Sequence, residues 1–248
     1  MKGKVALITG GRRGIGKALA LQFVKAGCKV AVVAKAADAV DLTSEVIDTL
    51  GGTLLYYSVD LSRREQRAHI IDTVVNHYGG IDILINNAGG QHATARAEDY
   101  PLDAFTRDYE LNVIASFDLA QQAFPHMKAK GWGRIVNLAS IVSFHGSRNS
   151  IGYPCAKTAL LGLTRCLSNE WAPFGITVNS VAPGYIETDM LHPLMSDEVH
   201  ADIIRKLIPV GRFGKPDEVA SVIKFLCSDD ARYMTGENLL IDGGWMWR

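Results

Sequence analysis

Five residues of β-rich apolar sequence, Val5-Ala-Leu-Ile-Thr9, run straight into Gly10-Gly-Arg-Arg-Gly14-Ile-Gly16 and then into the helix-forming run Lys17-Ala-Leu-Ala. A strand handed over to a helix through a glycine-rich turn constrains this chain more than any other stretch. Glycine lets a backbone come close to a phosphate. A helix opening near Gly14 would also turn unpaired N–H groups and the positive end of its dipole toward an anion. The stretch therefore reads as a pyrophosphate cradle involving Gly10, Gly14, Ile15 and Gly16, although a tight strand-to-helix turn with no ligand would use the same glycines. The spacing Gly10-x-x-x-Gly14-x-Gly16 departs from the Gly-x-Gly-x-x-Gly dinucleotide pattern. Identity has to come from further along the chain.

Short apolar runs alternate with longer helical ones from end to end. After the first strand, strands are expected at 29–34, 53–59, 81–85, 134–138, 176–181 and 238–242, with helices near 17–26, 38–50, 63–78, 101–128, 154–172 and 216–227. The strand runs are apolar on both faces, which suits parallel strands covered by helices on both sides, because parallel neighbours need crossover connections. The expectation is an α/β fold: one domain over residues 1–248 built on a doubly wound parallel sheet of about seven strands, with a variable segment near 190–207.

Lys and Arg together number 26, as do Asp and Glu, so the formal net charge is zero and no global field argues for nucleic acid or an anionic membrane as partner. The cysteines at 28, 155, 166 and 227 have neither C-x-x-C spacing nor a histidine at ligand spacing, which points to reduced thiols and no metal site. Met1-Lys-Gly-Lys leads directly into the first strand without the apolar core of a signal peptide, and no apolar run could span a bilayer. A cytoplasmic protein is the expectation.

In doubly wound sheets the ligand lies beyond the carboxyl ends of the strands, so chemistry is sought in the loops that follow them. After the second strand stand Ala34 and Lys35, where an NAD-selective site would carry an acid for the ribose 2′-hydroxyl. Lys35 with Arg12 and Arg13 instead offers positive charge suited to the 2′-phosphate of NADP(H), each charge-assisted hydrogen bond being worth roughly 1.5–3 kcal/mol. Three solvated surface cations are the alternative, and Asp38 leaves NAD(H) open. The third strand leads into Asp60-Leu61 and the fourth into Asn86-Asn87-Ala88-Gly89-Gly90, where small residues and amides would let a flat ligand lie against the backbone.

Ser140 follows the fifth strand, and Tyr153-Pro-Cys-Ala-Lys157 places a tyrosine and a lysine four apart on one helix face. A free phenol has a pKa near 10. A cation about 4 Å away contributes up to ~4 kcal/mol at an effective dielectric of about 20, enough to lower that pKa before desolvation is counted. Such a tyrosine could exchange a proton with an alcohol or ketone oxygen that Ser140 also binds. An ordinary surface i, i+4 pair has the same spacing.

Thr9-Gly-x-x-x-Gly-Ile-Gly16, Asn86-Asn-Ala-Gly89, Asn112 in Leu-Asn-Val, Ser140, Tyr153-x-x-x-Lys157 and Pro183-Gly184, in this order, resemble the short-chain dehydrogenase/reductase family over essentially the whole chain. The resemblance implies a Rossmann-like sheet in the order 3-2-1-4-5-6-7 and hydride transfer between nicotinamide and a carbonyl or alcohol carbon. It implies Tyr153 as acid/base, Lys157 as the group that lowers its pKa and holds the ribose, Ser140 as the orienter of the substrate oxygen, and Asn112 in a proton relay. Asp60 with Leu61 would meet the adenine. Asn87, Ala88 and Gly89 would line the cofactor, with Pro183, Gly184, Ile186 and Thr188 at the nicotinamide end. A homotetramer is also implied, for which the apolar end Trp245-Met246-Trp247 would offer surface.

Two substrate classes compete. Residues 183–190 and 208–219 resemble 3-oxoacyl thioester reductases, whereas Asn169-Glu-Trp171, Ser143-Phe-His-Gly146 and Asp242-Gly-Gly-Trp245 resemble sugar-acid dehydrogenases of the gluconate type. The substrate pocket is expected from Gln91, His92, Val142, His145, Arg148 and Tyr185, with His145 and Arg148 facing a carboxylate or hydroxyls. The reading leans toward a small polar keto or sugar-acid substrate. A dinucleotide-binding sensor or scaffold without catalysis would most simply lack one of Asn112, Ser140, Tyr153 and Lys157, and all four are present.

Overall fold

The computed structural model describes residues 1–35 and 54–247; the helix expected near 38–50, and Asp38 with it, lie outside these residues. Strands β1 (Val5–Thr9), β2 (Lys29–Ala34), β3 (Leu54–Ser58), β4 (Ile83–Asn86), β5 (Gly133–Leu138), β6 (Ile176–Pro183) and β7 (Asn238–Ile241) form one sheet. Every neighbour pair is parallel and the order is β3-β2-β1-β4-β5-β6-β7, as expected. Successive side chains of a strand point to opposite faces. Along β1, Ala6 and Ile8 therefore enter one core and Val5 and Leu7 the other.

The first core is closed by α1 (Gly14–Lys25), through Leu19 and Phe23, and by Val219 and Ile223 of a helix near the C-terminal end (Pro216–Leu226). The second lies under α2 (Ile70–Tyr78), the helix Ala115–Lys130 and the helix Gly152–Trp171, with Ile71, Val74, Leu119 and Trp171 inside. Burying a side chain such as Leu19 or Ile71 contributes roughly 1.5–3 kcal/mol. Apolar residues on both faces of each strand are what this two-sided burial requires.

The long helix expected over 101–128 is interrupted. It divides into α3 (Leu102–Tyr109), a π turn over Glu110–Ile114, and α4 (Ala115–Lys130). The Asn112 amide donates to the Asp108 carbonyl at 2.7 Å, four residues back, and so takes up a carbonyl the regular backbone ladder would use. The extra residue of a π turn accommodates it, and such turns gather at functional sites. The helix expected near 63–78 is likewise split into Arg64–Arg67 and α2. The Gly152–Trp171 helix, α5, carries Tyr153 and Lys157 on consecutive turns.

Candidate active site

A cleft of about 720 Å³ runs across the carboxyl ends of the strands. At its centre, α1 begins without a side-chain cap and without an acid in its first turn. The first N–H groups of a helix lack intrahelical partners, so an uncapped start facing a cleft is a receptor for an anion. Gly10 (φ +64°) and Gly14 (φ +53°) hold left-handed backbone that favours glycine. A Cβ on Gly10 would lie 2.9 Å from the Ala88 Cα and from the Asn87 Nδ2. Thr9 and Asn87 lock this loop to the end of β4: the Thr9 Oγ1 accepts from the Asn87 and Ala88 N–H groups, both at 2.9 Å, and the Asn87 Nδ2 donates to the Thr9 carbonyl at 2.7 Å. The donors and the glycine cradle fit a dinucleotide pyrophosphate.

Arg12, Arg13, Ala34, Lys35, Asp60 and Leu61 all line the cleft. The Lys35 ammonium pairs with Asp60 at 2.8 Å, and Arg13 with Asp189 at 3.3 Å. Burial works against ionisation of Asp60, but hydrogen bonds from Lys35 and Ser62 hold its carboxyl down to about 2. Its backbone N–H donates to Gln66. Both oxygens of the Asp60 side chain are thus engaged within the protein. Arg13 and Lys35 remain largely exposed, so these long side chains can turn toward a ligand.

Ser140, Tyr153 and Lys157 line the cleft beyond the glycine loop. The expected lowering of the phenol pKa by the lysine is not found. Burial pushes the Tyr153 phenol up to about 12, offset in part by the Ser140 hydroxyl, and the same burial brings Lys157 down to about 8. The Lys157 Nζ donates to the Leu138 carbonyl at 2.6 Å and stands 5.6 Å from the Tyr153 ring centroid. Desolvation outweighs the attraction, and the resting tyrosine is a neutral proton donor.

Asn112 is fully buried, its Nδ2 donating to the Gly90 carbonyl at 2.9 Å and its Oδ1 accepting from the Gly90 N–H at 3.3 Å. Asn112 and Lys157 converge on Gly89, where a Cβ would lie 2.6 Å from the Oδ1 of one and 2.9 Å from the Nζ of the other. A side chain at 89 would separate these two groups.

The depressed lysine has a measurable consequence. A folded-state pKa near 8 lies below the ordinary lysine value, so burying the charged form costs stability below about pH 8, and the cost is relieved as the pH rises toward about 10.4. Lys157→Met removes the titrating group. The stability of the variant relative to wild type, from urea unfolding of the ligand-free proteins, is expected to fall as the pH rises from about 8 to about 10; a flat difference would contradict the buried ammonium.

Of the expected cofactor residues, Gly10, Arg12, Arg13, Gly14, Ile15, Lys35, Asp60, Leu61, Asn87, Ala88, Gly89, Pro183, Gly184, Ile186 and Thr188 line the cleft together with Tyr153 and Lys157. Gly16 does not. It is buried against the Gly10 carbonyl and the Asn87 amide, so its missing side chain serves helix-to-loop packing. On the substrate side His92, Val142 and Tyr185 line the cleft, whereas Gln91, His145 and Arg148 do not. Gln91 is tied to Thr94 at 2.9 Å and to Ser150 at 2.7 Å. His145 and Arg148 are exposed, because the chain turns at Gly146 (φ +72°) and Asn149 (φ +57°) and presents Ser147 to the cleft instead. Sequence spacing gave no sign of Asp108 or Tyr100, which stand behind His92.

The family model described as enoyl-(acyl carrier protein) reductase matches residues 10–246. The 2-dehydro-3-deoxy-D-gluconate 5-dehydrogenase of Bacillus subtilis is 36% identical over 250 residues, covering 100% of this chain and 96% of its own length. The 3-oxoacyl-(acyl-carrier-protein) reductase FabG of Aquifex aeolicus is 37% identical over 245 residues, with 98% of each chain covered. A crystal structure from Beutenbergia cavernae, described as an NAD(P)-dependent gluconate 5-dehydrogenase with NADP bound at low occupancy, superposes with a TM-score of 0.94 at 36% identity, covering 100% of this chain and 98% of that one. Likeness in sequence and in backbone spans the chain from the glycine loop to the C-terminal segment, and the protein belongs to the short-chain dehydrogenase/reductase family of oxidoreductases.

Proposed function

We propose that this protein reduces a small polar keto acid or keto sugar acid with NADPH, and oxidises the corresponding alcohol in reverse, using Asn112, Ser140, Tyr153 and Lys157. The observation that carries the reading is one cleft that brings together an uncapped helix start, the cations Arg12, Arg13 and Lys35, and half-buried Ser140 and Tyr153 beside a buried Lys157. The cofactor supplies the hydride. Tyr153, protonated at rest, gives its phenolic proton to the carbonyl oxygen as negative charge develops there, and Ser140 donates a hydrogen bond to the same oxygen. Lys157, held on the Leu138 carbonyl, places positive charge behind the phenol and favours the phenolate left after transfer.

The polar substrate class is supported by the gluconate-type relatives and by the imidazole of His92 in the cleft. NADPH is the preferred cofactor because Lys35 follows Ala34 at the end of β2 and Arg12 and Arg13 line the same cleft; the engagement of Lys35 by Asp60 leaves NADH as a weaker substitute. The working unit is one domain over residues 1–248, cytoplasmic and homotetrameric, with Trp247 81% exposed where a partner subunit would cover it. Trp245 instead packs inward, 4.8 Å from the Tyr185 ring. Among the described residues no helix is long and apolar enough to cross a membrane.

Steady-state oxidation of NADPH and NADH with ketogluconate, diacetyl and an acetoacetyl thioester tests this reading. NADPH-dependent turnover of ketogluconate is expected, and Ala34→Asp is expected to reduce kcat/KM with NADPH about 10-fold or more while NADH is little affected, through repulsion of the 2′-phosphate. Turnover of the thioester alone would move the protein to the acyl-reductase branch. Tight NADPH binding with no turnover would revive the sensor.

A further inference from the structure

Asp108 has a fully buried side chain in a protein whose other carboxylates mostly face water. A buried carboxylate is costly unless donors surround it. Three do so: the His92 backbone N–H at 2.9 Å and the His92 Nδ1 at 2.8 Å, both on Oδ1, and the Tyr100 hydroxyl at 2.8 Å on Oδ2. Tyr100 is the donor in its bond, since burial and the neighbouring Asp108 charge push its phenol up to about 12. The carboxylate also presses on α5: a Cβ on Gly152 would collide with the Asp108 Oδ2 and lie 3.0 Å from the Tyr100 hydroxyl. Gly152 is adjacent to Tyr153. Through its backbone carbonyl the same Asp108 holds the Asn112 amide. One residue thus fixes His92, Asn112 and the first turn of the helix that carries Tyr153.

His92 lines the cleft and its side chain is 30% exposed. With Nδ1 donating to a carboxylate that only accepts, the tautomer is set and Nε2 is left as an acceptor on a side chain that lines the cleft. The loop beneath the ring is pinned on both sides of His92, by Ser150 to Gln91 at 2.7 Å and by the Ala95 N–H to the Asn149 carbonyl at 3.0 Å. Holding a histidine this way, with its ring and its backbone N–H each bonded to a buried carboxylate and a tyrosine behind, goes beyond what a surface histidine needs.

We propose that His92 is a specificity-determining residue, its Nε2 accepting a hydrogen bond from a substrate hydroxyl beside the reacting carbonyl, with Asp108 and Tyr100 as the residues that position it. The inference rests on the proposed oxidoreductase reading and deepens it. It assigns the substrate side of the cleft to a hydroxyl and not to an unsubstituted acyl chain.

The test compares wild type, His92→Phe, His92→Gln and Tyr100→Phe in kcat/KM for ketogluconate and for diacetyl, with NADPH affinity measured by fluorescence quenching. His92→Phe is expected to lower the ketogluconate-to-diacetyl ratio about 10- to 100-fold, the span of one well-placed hydrogen bond to a polar substrate. His92→Gln should recover part of that ratio, Tyr100→Phe should lower it by a smaller factor, and the NADPH affinity of all three should stay within about twofold. General loosening of the fold would instead lower both substrates and NADPH affinity together. An unchanged ratio with an active wild type overturns the role of His92 and leaves the oxidoreductase reading standing. So does a wild type that reduces only diacetyl or only a thioester. A wild type that binds NADPH and reduces nothing overturns both.

Discussion

Tyr153→Phe is expected to lower kcat about 100- to 10,000-fold in the reductive direction, the usual contribution of a positioned general acid. The change removes one oxygen from a residue that lines the cleft, and the ring that fills the site remains. NADPH affinity and thermal stability should therefore stay close to wild type. The stability of the variant should if anything rise, because the phenol is desolvated and only the Ser140 hydroxyl compensates it. A residual rate above the uncatalysed one is expected from Ser140 and from the ordered site. Kinetic measurement with saturating NADPH, alongside a binding isotherm, checks both halves. Turnover within threefold of wild type would remove Tyr153 from the chemistry.

Gly16→Ala is expected to be the most damaging single methyl in the nucleotide half. Its Cβ would run into the Gly10 carbonyl oxygen and lie 2.6 Å from the Asn87 Nδ2 and 2.8 Å from the Gly11 Cα. None of these is the loose end of a flexible side chain. The Asn87 amide is held by the Thr9 and Gly10 carbonyls at 2.7 and 3.1 Å, so relief has to come from moving the glycine loop itself. Overpacking of this kind costs roughly 1–3 kcal/mol. The shifted loop also misdirects the N–H groups at the start of α1, so NADPH affinity should drop about 10-fold or more. Gly162 of α5 is the control. A Cβ there meets nothing within 4 Å, and Gly162→Ala should be neutral or stabilising by about 0.5–1 kcal/mol. Equal melting temperatures and equal NADPH affinities for Gly16→Ala and wild type would contradict the packing account.

The legibility of the chain follows from how local each signal is. The sheet order and its two-sided burial were readable because the apolar residues of β1, β2, β4, β5 and β6 fall on both faces of each strand, and that pattern has few solutions. Tyr153 and Lys157 were readable because one helix sets their spacing. What depends on side chains reaching across the fold was not. The break in the 101–128 helix comes from a single Asn112 amide turning back on Asp108, while the helical hydrophobic pattern continues through it. The Tyr153 phenol is raised because burial desolvates it, and the Lys157 ammonium is drawn to the Leu138 carbonyl, on a strand 19 residues earlier in the chain. His145 and Arg148 looked like substrate ligands for their chemistry alone, and two left-handed residues turn their segment outward. Asp108 and Tyr100 carry no motif, and only the folded chain brings them behind His92.

The central claim, that this cleft transfers hydride from NADP(H) to a carbonyl carbon, is tested most directly by following a label. NADPH carrying deuterium on the nicotinamide C4, one prochiral face at a time, is incubated with the protein and ketogluconate, and the product is read by mass spectrometry and NMR. The account predicts deuterium on the new carbinol carbon from one face only, and its disappearance from product with Tyr153→Phe over the same time. Product carrying solvent hydrogen at that carbon, or saturable NADPH binding with no labelled product from ketogluconate, diacetyl or the thioester, would contradict it.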